Sequence, residues 1–247
     1  MKKLNRTWRA AAYLFICLSN FVWAVDLGFS SNMPEETKVL TFTIPESWHD
    51  SLPEKMRKKC DNQACKVAKG YSGEFIAEKF FHYIFRQECN LITHKLGNTK
   101  THGFDELYTW KEGVGSKIYY LVNESKTANG GFKLTKDSAQ QSLFWNYKTI
   151  SEKYKDYPYM QYIKGNFVEK LSQGNVVRTA TYVYYNEKKE QYLMDLYWLH
   201  TGSTSSIYEQ ECAAFKLVIS DLISKIADKK IYEIHLSEYM KQKFGIV

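Results

Sequence analysis

The sequence predicts an α+β protein in which an antiparallel sheet of about four to six strands is flanked by helices. Residues 176–200 contain two β-branched and aromatic runs around a polar break from Asn186 to Glu190, which is typical of a β-hairpin with a loop of about five residues. Further strand patterns surround this hairpin, and amphipathic helical patterns lie before and after them. We therefore expect the sheet to be centred on the 176–200 hairpin.

The second strand of this hairpin has one apolar face. Side chains alternate along a strand, so the predicted core face carries Tyr192, Met194, Leu196 and Trp198. The opposite face carries Asp195 and Tyr197, and we expect it to be half-exposed or covered by a partner. We place Tyr185 of the first strand on that outer face with Tyr197. Neither face of the first strand is clearly polar, which predicts a central strand covered on both sides.

The remaining elements follow from hydrophobic periodicity. The sequence predicts strands at 38–44, 91–93, 104–110, 117–122 and 159–171. It predicts helices at 73–89 (with Ser72 as its N-cap), at 138–155 (capped by Thr135 or Asp137), at 207–227 and in the tail from Ser237. We expect one domain over 25–247, with a mobile entry at 25–37 and a helical insertion at 50–104.

The first 24 residues are typical of a secretory signal peptide. Four basic residues between Lys2 and Arg9 precede an uncharged run, 10–24, that ends in the small-residue cleavage pattern Val22-Trp23-Ala24. The run is shorter than the ~20 residues that span a bilayer, which favours cleavage over a retained anchor. The sequence thus predicts a periplasmic or secreted protein that begins at Val25.

Cleavage changes the charge balance. The full chain carries 34 Lys and Arg against 27 Asp and Glu, but the signal holds four of the basic residues and none of the acidic ones. The mature chain therefore has a net charge of only +3, which argues against nucleic acid as a partner. No second apolar run is long enough to cross a membrane, so we expect no membrane span after cleavage.

The cysteines agree with export. Four remain after cleavage, at Cys60, Cys65, Cys89 and Cys212, and an even number in an exported chain favours two disulfides. Four cysteines allow three pairings; we favour Cys60–Cys65 and Cys89–Cys212. A zinc site is the rival interpretation, but the spacing lacks tight Cys pairs, so we expect no metal and no cofactor.

The sequence contains no recognised catalytic motif. None of its six histidines forms a metal-binding helix spacing. His94 and His102, with Asp105 and Glu106 nearby, are the alternative place for a metal or an acid–base site. The stretch around Ser72, GYSG, is one residue short of a nucleophile elbow.

Aromatic residues give the functional hint. Phe, Trp and Tyr make up 39 of 247 residues, and tyrosine is the most frequent of the three. Exposed tyrosines suit protein or sugar surfaces because they offer rigid area and a polar handle. We predict a binding site at Tyr159, Tyr185, Asp195 and Tyr197 for a protein or polysaccharide; core filling is the alternative role of such tyrosines.

The stretch LTFTIPESW, residues 40–48, with a meandering sheet and a closing helix, resembles PsbP-like modules. The long segment from Leu52 to Phe104 departs from that family's layout. The resemblance implies a binding or scaffolding module rather than an enzyme. The Lys-, Asn- and Tyr-rich composition behind a plain signal peptide is similar to exported proteins of Legionella-type intracellular bacteria. We therefore expect an exported non-enzymatic binding protein, such as a secreted effector of a Gram-negative bacterium; the alternative is a secreted hydrolase with an unrecognised active site.

Overall fold

The predicted hairpin forms two adjacent strands of a six-stranded sheet. The computed structural model describes residues 29–51, 63–85, 89–91, 103–111, 118–127, 132, 138–154 and 158–227. The strands are β1 (Glu35–Thr43), β2 (Cys89–Leu91), β3 (Glu106–Lys111), β4 (Ile118–Thr127), β5 (Val176–Asn186) and β6 (Gln191–His200). Their order in the sheet is β1-β6-β5-β4-β3-β2, so β5 is an interior strand, as its two apolar faces predicted. The predicted signal peptide and tail helix lie outside the described residues.

The α+β class is confirmed, but the prediction of an antiparallel sheet is wrong for one strand pair. Strands β4 and β5 run parallel, from Tyr120 opposite Val176 to Thr127 opposite Val183. Parallel neighbours need a crossover connection, and here helices occupy the chain between the two strands. The other four pairs are antiparallel, so the sheet is mixed.

Four α-helices accompany the sheet in the described part of the chain. They are α1 (Gln63–Phe85), α2 (Leu143–Lys148), α3 (Pro158–Ser172) and α4 (Ser206–Ala227). Helix α4 agrees with the predicted helix at 207–227. Helix α2 is shorter than predicted: the Ser142 side chain, not Thr135 or Asp137, caps it by accepting a 3.1 Å hydrogen bond from the Trp145 N–H. It continues into one π-helical turn, Thr149–Lys153.

The prediction of a strand at 159–171 is wrong, because this segment is helix α3. Its buried residues are Met160, Ile163, Phe167 and Leu171, whose spacing of three and four places them on one helical face. Pro158 begins the helix, where its fixed φ is favourable and its missing N–H costs nothing.

Helix α1 begins ten residues before its predicted start. Ser72 is therefore buried inside the helix and is not its N-cap. A Cβ placed on Gly73 would lie 3.2 Å from the Thr127 side chain and 3.4 Å from the Lys126 carbonyl oxygen, so this glycine lets α1 approach β4 closely. Helix α1, which belongs to the predicted insertion at 50–104, thus packs on the sheet.

The two sides of the sheet bury two separate apolar clusters. On one side, α1 and α4 cover the predicted core face of β6, which includes Met194, Leu196 and Trp198. On the other side, α2 and α3 pack against Leu107, Tyr120, Val122 and Val176 of β3, β4 and the start of β5. The cluster beneath α2 and α3 includes only the start of β5, so the rest of β5, together with β6 and β1, lies outside this cluster.

The opening stretch that resembles PsbP-like modules forms β1 and a short 3₁₀ helix, Glu46–Ser51. Leu40, Phe42 and Ile44 are buried, and the Trp48 ring packs 5.7 Å from that of Phe42. The last three residues of the predicted mobile entry, 25–37, belong to β1. The backbone carbonyl oxygens of Ser30 and Ser31 accept hydrogen bonds from backbone N–H groups in α2 and in the segment that precedes it. No helix in the described part of the chain is long and apolar enough to cross a membrane.

Candidate functional site

The side of the sheet that α2 and α3 partly cover carries, beyond these helices, a partly exposed group of tyrosines around one carboxylate. Tyr182 and Tyr184 come from β5, Asp195 and Tyr197 from β6, and Lys38 from β1. We call these five residues the tyrosine face. Tyr182 is paired with Asp195 in the strand register, and Tyr197 is paired with Lys38, so the five side chains occupy neighbouring positions on one side of three strands. The three tyrosines belong to neither apolar cluster.

Asp195 organises the tyrosine face through three hydrogen bonds. Its carboxylate accepts from the Lys38 Nζ and the Thr41 hydroxyl, both at 2.7 Å, and from the Tyr184 hydroxyl at 3.4 Å. The carboxylate is nearly buried, with 10% of the side chain exposed, whereas the Lys38 side chain is 39% exposed. Asp195 thus ties the edge strand β1 to the hairpin and holds two side chains of the face in place.

The three tyrosine hydroxyls stay protonated, and those of Tyr182 and Tyr184 donate hydrogen bonds. The Tyr182 hydroxyl donates to Glu36 at 2.9 Å, and its ring meets that of Tyr197 edge to face at 5.2 Å. Burial and then Asp195 raise the pKa of Tyr184 to about 12. Burial is also the first cause that raises the pKa of Tyr182 and of Tyr197. All three phenols are therefore neutral over the physiological pH range.

Beside the tyrosine face lies a buried acid, Glu124 of β4. It is paired with Ala180, the residue that precedes Tyr182 on the same side of β5. One of its carboxyl oxygens accepts from the Lys126 Nζ and the Gln140 amide, and the other accepts from the Gln141 amide at 3.3 Å. Burial, followed by the charge of Asp105, raises the pKa of Glu124 to about 8.

The structure brings together two of the four residues predicted for binding. Asp195 and Tyr197 lie on the tyrosine face. The placement of Tyr185 with Tyr197 is wrong: Tyr185 is paired with Tyr192 and packs 4.9 Å from its ring on the side covered by α1 and α4. Tyr159 is the second residue of α3 and not part of a strand.

Sequence reasoning missed Lys38 and passed over Tyr182 and Tyr184. A signal for the two tyrosines existed, because they alternate with Tyr185 on β5. Which of the two alternating sets faces Tyr197 depends on the loop length. The loop has four residues, 187–190, rather than about five, and a shift of one residue moves every side chain to the other side of the sheet.

A buried ion pair was also missed. Arg178 of β5 and Glu211 of α4 are 1% and 2% exposed, and both the Nε and an Nη of the guanidinium donate to Glu211 Oε1. The other guanidinium Nη donates to the Gln141 carbonyl oxygen at 2.7 Å, and Glu211 Oε2 accepts from the Thr201 N–H and hydroxyl. This network joins the sheet, α4 and the loop before α2, so its role is structural.

The alternative acid–base site predicted around Asp105 and Glu106 contains a second buried network. His94 and His102 lie outside the described residues. Glu106 accepts from the Asn123 amide at 2.8 Å and from the Ser125 hydroxyl at 3.1 Å, beneath helix α1. Burial, and then Asp105, raises the pKa of Glu106 well above its ordinary value. The described part of the chain holds no cluster of three or more His, Cys, Asp or Glu side chains that could bind a metal.

The predicted disulfides stay a prediction. Cys60 lies outside the described residues, and so do the side chains of Cys65 in α1 and Cys89 in β2. Cys212 lies in the second turn of α4, where it packs partly buried against the larger apolar cluster.

Comparison with known proteins gives no relative. No protein-family model, no curated protein and no solved structure matches this chain.

Proposed function

We propose that this protein is an exported, non-enzymatic binding protein that recognises its partner through the tyrosine face. The observation that supports this most strongly is the arrangement of Tyr182, Tyr184 and Tyr197 around Asp195. Neutral phenols combine apolar area with a hydroxyl that donates and accepts, and such side chains are enriched at recognition surfaces. A β-sheet holds them rigidly, which lowers the entropy lost on binding.

Export supports the same function. The signal peptide predicted at 1–24 would deliver the chain to the periplasm or the medium, where a surface can meet external proteins or polysaccharides. We propose that the protein acts there, as a secreted effector of a Gram-negative bacterium. The resemblance of residues 40–48 to PsbP-like modules points to binding as well.

The alternative, a secreted hydrolase, finds less support in the geometry. The two acids with raised pKa values, Glu106 and Glu124, are 3% and 2% exposed and are hydrogen-bonded within the fold. A general acid must reach the atom that it protonates, and neither carboxyl is positioned to do so. We therefore propose binding alone.

Photo-crosslinking tests this proposal. The photoreactive amino acid p-benzoyl-phenylalanine is introduced at Tyr184 of the tyrosine face or, as control, at Tyr162, which is 86% exposed on α3. The exported protein is irradiated in the producing culture. We expect an adduct from position 184 that disappears when Tyr197→Ala is added, and no such adduct from position 162. Equal labelling from both positions, or none from position 184, would refute binding through this face.

N-terminal sequencing tests the export half separately. The protein recovered from the periplasm or the medium should begin at Val25. Exported material that still carries residues 1–24 would contradict the predicted cleavage.

A further inference from the structure

We infer that the tyrosine face binds an uncharged oligosaccharide; this inference rests on the proposed function and names the ligand class of the same site. A pyranose ring offers an apolar C–H face and a rim of hydroxyls that both donate and accept. A complementary site therefore needs aromatic rings, neutral hydroxyls and carboxylate acceptors on one surface. Tyr182, Tyr184 and Tyr197 supply the rings and hydroxyls, and the exposed Glu36 supplies the carboxylate.

The charges of the face favour a neutral ligand over an acidic one. The Lys38 ammonium is paired with Asp195 at 2.7 Å. Lys126, the next cation on this side, contacts Glu124 and Gln140 and has only 13% of its side chain exposed. Arg178 is 1% exposed. Among the described residues of β1, β4 and β5, a phosphate, sulfate or uronate on this side would therefore meet only cations that are paired or largely buried, and would meet the carboxylate of Glu36.

The apolar content of the face favours a sugar over a protein. The fully buried centre of a protein interface is more apolar than the rest of a protein surface, and Met and Arg are enriched there beside the aromatic residues. The two leucines on this side of β6, Leu193 and Leu199, are 3% and 0% exposed. The exposed large apolar side chains in the described part of the chain all lie outside β1, β5 and β6: Met33, Tyr71, Phe75 and Tyr162. What the face offers to a partner is aromatic and hydroxyl-bearing.

The length of the face indicates more than one sugar ring. Tyr197 is paired with Ala180, which lies four residues before Tyr184 along β5. At the rise of an extended strand, Tyr184 and Tyr197 are thus separated by ~13 Å along the strand direction. Tyr182 lies between them and contacts the Tyr197 ring. We infer an oligosaccharide that runs along the hairpin, with Tyr182 and Tyr197 near one end and Tyr184 at the other.

A glycan array probed with the labelled 25–247 chain tests the ligand class. The array carries neutral and acidic oligosaccharides of graded length, and binding is read at ~0.1 M and ~1 M salt, where screening lengths are about 10 Å and 3 Å. We expect binding to neutral oligosaccharides that strengthens with length and is insensitive to salt. Tyr197→Ala should weaken it by at least about tenfold, as loss of an aromatic side chain from a binding site commonly does, whereas Tyr162→Ala should leave it unchanged.

Two outcomes would overturn the inference: no binding to any neutral oligosaccharide, or salt-sensitive binding confined to acidic ones. The photo-crosslink from position 184 separates this failure from failure of the proposed function. A protein adduct that depends on Tyr197, together with an array without neutral hits, would leave a binding protein whose ligand is not a glycan. The absence of both signals would refute the binding face itself.

Discussion

Removal of one member of the buried Arg178–Glu211 pair should destabilise the fold strongly. The Glu211 carboxylate is 2% exposed, and Arg178→Met would leave it with only its two hydrogen bonds from Thr201. The variant Glu211→Leu would leave the buried guanidinium without its anion. An uncompensated buried charge of this kind costs about 3–5 kcal/mol. Arg178→Met also removes the donor to the Gln141 carbonyl oxygen, which adds about 1–3 kcal/mol.

The double variant should cost much less than the sum of the two single variants. Neither charge is then buried alone, and what is lost is mainly the hydrogen bonds to Gln141 and Thr201. We expect a coupling free energy of at least ~2 kcal/mol between Arg178 and Glu211, within the range for residues in one network. Single losses of this size are a large part of the roughly 5–15 kcal/mol that stabilises a typical protein.

Urea unfolding, monitored by tryptophan fluorescence and circular dichroism, measures the stability of the wild type, the two single variants and the double variant. The matched control is Glu78→Gln, which removes an exposed carboxylate 3.7 Å from His82 on α1 and should change stability by less than about 1 kcal/mol. Single variants that unfold with wild-type stability, or a double variant whose loss equals the sum, would refute the buried-network argument.

Three further predictions concern packing, backbone and pH. Trp198→Ala should cost ~3–5 kcal/mol, because this ring is fully buried and lies 4.8 Å from that of Phe215, whereas Tyr197→Ala on the partly exposed side should cost much less; equal losses would mean that both sides of β6 are core. Gly70→Ala should stabilise α1 by about 0.5–1 kcal/mol, since nothing lies within 4 Å of the new Cβ, whereas Gly174→Ala should destabilise, since its φ is +65° and its Cβ would lie 2.8 Å from a backbone oxygen; thermal melts would show the opposite signs. The raised pKa of Glu124 means that the folded state holds this proton more tightly than the unfolded state does, so the contribution of Glu124 to stability is full below the ordinary pKa of 4.5 and declines as pH rises towards 8. Glu124→Gln should therefore flatten the profile of stability against pH between these values. An unchanged slope would contradict the burial of this acid.

The sequence was sufficient for the parts of the fold that local patterns determine. Alternation identified the hairpin and its core face, and long helical periodicity identified α4. It failed at 159–171, where aromatic residues suggested a strand although the apolar spacing of three and four, from Met160 to Leu171, is helical. The parallel β4–β5 pair could not be read locally, because it depends on where a crossover places two distant strands.

Only half of the candidate site was predicted from the sequence, for a similar reason. Asp195 and Tyr197 followed from alternation within β6 alone. Their neighbours on β5 required the register across the turn, and the length of that turn was overestimated, which selected Tyr185 instead of Tyr182 and Tyr184. Lys38 required knowledge that β1 pairs with β6, a contact between residues more than 150 positions apart.

Hydroxyl-radical footprinting with mass-spectrometric readout tests the central claim most directly, because it reports the exposure of individual tyrosines. In the free protein, Tyr182, Tyr184 and Tyr197 should be oxidised well above Tyr192, which is 3% exposed. A saturating neutral oligosaccharide selected on the array should protect these three and leave Tyr162 as reactive as before. Oxidation of the three at the low level of Tyr192 in the free protein, or protection at Tyr162 alone, would contradict a binding site on the tyrosine face.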